Sequence, residues 1–120
     1  MTRSIRVAAA LALVLALALA GCGSSQGSAA PVRTTSVDLP PSYKFVPADI
    51  VVARGSTVTW TNHDNFSHSV QFLDGGLPTD PMVMQPGGAT VTYTFDTAGT
   101  IHYQCSFHPQ NMKGTITVEP

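Results

Sequence analysis

The segment Cys105-Ser106-Phe107-His108-Pro109-Gln110-Asn111-Met112-Lys113-Gly114 gathers a thiol, an imidazole and a thioether just before the last apolar run of the chain. Each donor alone is ordinary, since a buried cysteine is usually a small hydrophobe and a methionine fills gaps in cores. Together they are the soft and borderline ligands that a copper ion prefers. The remaining histidines are His63, His68 and His102, and the elements that carry them decide which can reach this loop.

Those elements read as strands. From about Val37 onward, short runs rich in β-branched and aromatic residues are separated by Gly, Pro, Asn and Asp. The runs are Ile50 to Val52, Thr57 to Asn62, His68 to Phe72, Thr90 to Phe95, Ile101 to Cys105 and Thr115 to Val118. Alternation of polar and apolar residues marks half-buried strands, and no run sustains a helical period. Six or seven such strands predict an all-β sandwich or barrel. Its expected core is Val58, Trp60, Val70, Phe72, Val91, Tyr93, Phe95, Ile101, Tyr103 and Ile116. Leu73 to Ala89, dense in Gly and Pro, is the longest irregular stretch.

Side chains two apart on a strand share a face. Cys105 is in phase with Tyr103 and Ile101 and is expected to point inward, while His102 points outward. His68 is in phase with Val70 and Phe72, so it too starts a strand on the core face. His63 is out of phase with Trp60 and Asn62 and belongs to the surface. A site built from His68, Cys105, His108 and Met112 would therefore lie at one end of the sandwich.

The N-terminus has a different texture. MTRSIR is followed by a run of Ala, Leu and Val from Val7 to Ala20, the charged and apolar regions of an export signal. The run falls short of the ~20 residues a membrane span needs. Leu19-Ala20-Gly21-Cys22 resembles the lipobox of bacterial lipoproteins, which implies cleavage after residue 21 and lipidation of Cys22. Residues 22–36, rich in Gly, Ser, Ala and Thr, are expected to be a flexible tether, and residues 37–120 the folded domain. Without the signal, Arg33, Arg54, Lys44 and Lys113 face six Asp and one Glu, so nucleic acid has no basic footprint to bind. Cys105 is then alone in an exported domain, where an unpaired thiol calls for a role such as metal binding.

The runs YKFVPADIVVARGSTVTWTNHDNFSHSVQF and GTIHYQCSFHPQNMKGTITV resemble the cupredoxins, the blue copper proteins related to plastocyanin and azurin. The resemblance implies a Greek-key β-sandwich of about seven to eight strands and one type 1 copper ion. It assigns His68 and His108 as imidazole ligands, Cys105 as thiolate and Met112 as axial thioether. It implies a monomeric, non-enzymatic electron carrier with redox partners docking weakly near His108, and the lipobox adds an anchor through Cys22 at the outer face of a membrane. An apolar rim of Phe66, Leu77, Pro78, Met82, Phe107 and Pro109 is expected there. A copper carrier that delivers the metal is the alternative, and a metal-free adhesive sandwich a third reading.

The sequence departs from the family at two positions. Phe107 stands where plastocyanin-like members often carry proline, so its N–H survives and is expected to donate to the Cys105 sulfur, raising the reduction potential. Ser69 stands where many electron-transfer members have an Asn that ties the two ligand loops together, which leaves the rigidity of the site open.

Overall fold

The computed structural model describes residues 29–120, and the export signal, Cys22 and the first part of the expected tether lie outside the described residues. The described chain forms nine strands in two sheets, with no α-helix among the described residues. The strands are β1 (Val32–Arg33), β2 (Ser36–Leu39), β3 (Asp49–Ala53), β4 (Ser56–Asn62), β5 (His68–Phe72), β6 (Met82–Met84), β7 (Thr90–Phe95), β8 (Gly99–Gln104) and β9 (Lys113–Glu119). One sheet has the order β1-β3-β9-β8-β5-β6 and the other β2-β4-β7. The all-β class read from the alternation stands. The strand count exceeds seven to eight because β1 and β6 are short pieces recruited by pairing rather than by pattern.

Two expectations shift. Val32 and Arg33 pair in parallel with Ile50 and Val51, and the Arg33 guanidinium grips both carboxylate oxygens of Glu119 at 2.8 and 2.9 Å. The ordered framework thus begins inside the stretch expected to be tether, because its partners lie far away in sequence. Met82–Met84, inside the expected long loop, pairs with β5, setting Met84 opposite His68.

The core lies between the sheets. Trp60, Tyr103, Ile50, Leu39, Val58, Val70 and Ile116 are fully enclosed. Trp60 meets Tyr103 and Phe72 edge-on with ring centres 5.7 and 6.3 Å apart, geometry favoured by the ring quadrupoles. Val91 and Tyr93, expected inside, are only partly buried, since β7 lies at the edge of the smaller sheet. Val37, Leu39, Phe45 and Met84 take core places that local alternation did not reveal.

Two glycines make the frame possible. Gly55 turns the chain between β3 and β4 at a φ of 85°, a conformation that costs other residues a clash. Gly114 lets Tyr103 lie flat on β9: a Cβ there would stand 2.2 Å from the Ala48 carbonyl oxygen and 2.6 Å from the phenol. The Tyr103 hydroxyl donates to that same carbonyl at 3.0 Å, and burial pushes the phenol pKa well up.

Candidate metal centre

The N-terminal end of β5 and the C-terminal end of β8 deliver His68 and Cys105 to the same place. Both are fully buried, as is Met112. Cys105 Sγ lies 3.8 Å from His68 Nδ1. An ion about 2.3 Å from sulfur and about 2.0 Å from nitrogen would span that distance at a near-trigonal angle.

The loop after Cys105 is tightly wound by its own backbone. His108 N–H donates to the Cys105 carbonyl at 3.1 Å, Met112 N–H to the His108 carbonyl at 3.0 Å, and Cys105 N–H to the Met112 carbonyl at 2.9 Å. Hydrogen bonds among three of the four candidate donors therefore close the loop on itself. His108 is half-buried, and its ring centre lies 5.5 Å from that of His68, close to the ~5 Å expected for two imidazoles that share one ion. Among the described residues no three His, Cys, Asp or Glu side chains close on one point as they stand.

Sequence reasoning missed Asp64, which orients His68. The Asp64 carboxylate is almost fully buried and meets His68 Nε2 at 2.9 Å. As Nε2–H donates to the carboxylate, the lone pair of Nδ1 faces the sulfur. The hydrogen bond with His68 also holds the Asp64 carboxyl below the ordinary carboxylate range, against the opposing effect of desolvation. A carboxylate behind a metal-binding imidazole fixes its tautomer and orientation. The only sequence signal was an acid four residues before the histidine.

Asn62 ends β4 fully buried. Its buried amide donates to the Phe66, Met84 and Gln85 carbonyls at 2.8 to 3.2 Å, and its Oδ1 accepts from Asp64 N–H at 2.9 Å. It binds the turn carrying Asp64 to the end of β6.

Around the sulfur, one expectation fails and one open point closes. Phe107 N–H makes no hydrogen bond to the sulfur; the turn closes instead through His108 N–H. The donor nearest the sulfur is Ser69 N–H at 3.4 Å, with Ser69 Oγ at 3.8 Å. Ser69 Oγ also accepts from Ser106 N–H at 2.8 Å and meets Ser106 Oγ at 2.7 Å. Short as it is, Ser69 ties the two ligand-bearing segments together.

His63 and His102 are surface residues paired with Asp38 and Asp74, as strand parity predicted. Leu77 is not beside His108: it lines a groove with Tyr93, Ala98 and Ile101 near the β7–β8 turn, because β5 runs away from His68 and carries the following loop to the other end. Phe66 and Phe107 are 57% and 51% exposed. Tyr43, absent from the expected rim, sits edge-on to His108 with ring centres 4.6 Å apart.

A two-sheet β-sandwich that brings a buried thiol, a buried and a half-buried imidazole and a buried thioether to one end has the donor set of a small metalloprotein. Residues 34–119 match the model of the copper binding proteins of the plastocyanin/azurin family. Amicyanin-alpha from Methylorubrum extorquens is 35% identical over 122 residues, covering 98% of this chain and 99% of its own. Plastocyanin from Scenedesmus fuscus is 34% identical over 84 residues, covering 62% of this chain and 86% of its own. The structure of a purple cupredoxin from Nitrosopumilus maritimus superposes with a TM-score of 0.63 at 28% identity, covering 72% of this chain and all of that one. The chain belongs to the plastocyanin/azurin family of copper binding proteins. It is a blue copper electron-transfer protein with one type 1 copper ion, and not an enzyme.

Proposed function

We propose that His68, Cys105, His108 and Met112 hold the copper ion. The reading rests on the 3.8 Å approach of His68 Nδ1 to Cys105 Sγ, with Nε2 engaged by Asp64. Copper, when bound, supplies a one-electron couple, for which two imidazoles, a thiolate and a weak thioether suit both oxidation states. The residues keep that set in place. Asp64 orients one imidazole, Ser69 donates to the sulfur, and the turn bonds fix the spacing of Cys105, His108 and Met112. Burial of His68, Cys105 and Met112 excludes water.

The protein works outside the cytoplasm and exchanges electrons with other redox proteins. Electrons pass at the His108 end, where the exposed rings of Phe66 and Phe107 offer an apolar face for brief docking by a monomer. Weak redox encounters commonly bury less than about 1,200 Å². Cleavage after residue 21 and lipidation of Cys22 hold the domain at the outer face of a membrane, with the residues between Cys22 and β1 as tether.

Adding Cu(II) to the apo-protein should produce an intense thiolate-to-copper band in the visible that bleaches and returns with one-electron reduction and oxidation. Persistence of the band in Cys105→Ser, or its absence from the wild type, would refute the ligand set. For the anchor, Cys22→Ala should move the protein from the membrane fraction to the soluble one; retention would count against it.

A further inference from the structure

Tyr43 is not among the proposed ligands, yet its ring touches the surroundings of both imidazoles. Its centre is 4.6 Å from that of His108 with the planes at 77°, and 5.9 Å from that of His68 at 84°. The ring also stacks on Phe66 at 6.1 Å. Edge-to-face contacts of this kind are directional and resist ring rotation.

The backbone at Tyr43 is unusual as well. With φ at 53°, Tyr43 is the one non-glycine among the described residues in the left-handed region, where Cβ crowds the following carbonyl. Such strain persists only where the surroundings over-determine it, and it clusters at functional sites. Here the surroundings are evident: Asp38 and Val46 exchange two backbone hydrogen bonds of 2.8 Å, Ser42 N–H donates to the Pro40 carbonyl, and Phe45 is buried against Tyr103 at 4.6 Å. The core needs Phe45 but makes no demand on the Tyr43 ring, which remains 38% exposed.

We propose that Tyr43 is a positioning residue of the metal centre. Its ring holds the His108 imidazole in the orientation needed for ligation and covers the edge shared by His68 and His108. The inference rests on the ligand set proposed above and concerns the least enclosed imidazole of that set.

The decisive variants are Tyr43→Gly and Tyr43→Phe in the full protein. Glycine removes the ring and is at ease at this φ, so the apo-protein should unfold at the same temperature or higher. Measured by chelator competition, Cu(II) affinity should fall about tenfold in Tyr43→Gly and stay within about twofold in Tyr43→Phe. In the apo-protein, the His108 ring signals in NMR should broaden in Tyr43→Gly only. Unchanged affinity with sharp His108 signals in Tyr43→Gly would overturn the proposal, as would an equal loss in Tyr43→Phe. A lowered unfolding temperature in step with the lost affinity would mark the ring as fold packing and overturn it too. A wild type without the thiolate-to-copper band would refute the ligand set instead.

Discussion

Asp64 and Ser69 hold the proposed ligands His68 and Cys105 through hydrogen bonds. The buried Asp64 carboxylate leaves His68 one usable nitrogen, so Asp64→Asn should weaken copper binding by about 10- to 100-fold, measured by competition. Affinity equal to wild type would show that the ring is oriented by packing alone. Ser69 brings an N–H and a hydroxyl to the sulfur. Hydrogen bonds to a thiolate withdraw density and favour the reduced state. Ser69→Ala keeps the N–H and loses the hydroxyl, so the potential should fall by tens of millivolts, where about 59 mV is tenfold for one electron. A rise would contradict this assignment.

Among the elements, β8 and β9 matter most, since Cys105 follows one and Met112 precedes the other. Their register sets Tyr103 opposite Gly114, and the phenol occupies the space a larger residue would need. The obstacle on the other side is the Ala48 backbone carbonyl, which cannot rotate away. Gly114→Ala should therefore destabilise the apo-protein by about 3 kcal/mol or more, read from urea unfolding. Because Tyr103 lies two residues before Cys105, the same change should also disturb the copper band; stability within error of wild type would mean that β9 shifts freely. On the other side of the site, β4 ends in Asn62, whose amide bonds hold the Asp64 turn and the end of β6 as one piece.

For the molecule as a whole, the two ends of the sandwich do different work. One end carries the candidate donors, and the other carries turns and the end of β9 with its Arg33–Glu119 pair. Asp74 is held below its ordinary pKa, chiefly by the His102 N–H, and Glu119 by the Arg33 guanidinium. A carboxylate with a depressed folded pKa contributes stability above its unfolded value, and that stability is lost as pH falls through the folded value. The unfolding temperature of the apo-protein should thus drop below about pH 4. Asp74→Asn should lower it slightly at neutral pH and flatten the acid decline; an unchanged slope would show that the exposed Asp74–His102 pair contributes nothing.

Sequence alone determined the all-β class, the inward phase of His68 and Cys105, the outward phase of His63 and His102, and the crowding of donors after β8. These follow from a period of two along a strand and from donor chemistry, which are local properties. Tertiary structure decided what depends on distant partners: Asp64 behind His68, Ser69 rather than Phe107 at the sulfur, Val32 and Arg33 drawn into a sheet, and Leu77 carried away from His108. The donor-rich segment Cys105 to Met112 announced a metal in its own sequence. The ring of Tyr43 over His108 became visible only in three dimensions, because a loop 65 residues earlier folds over that end of the sandwich.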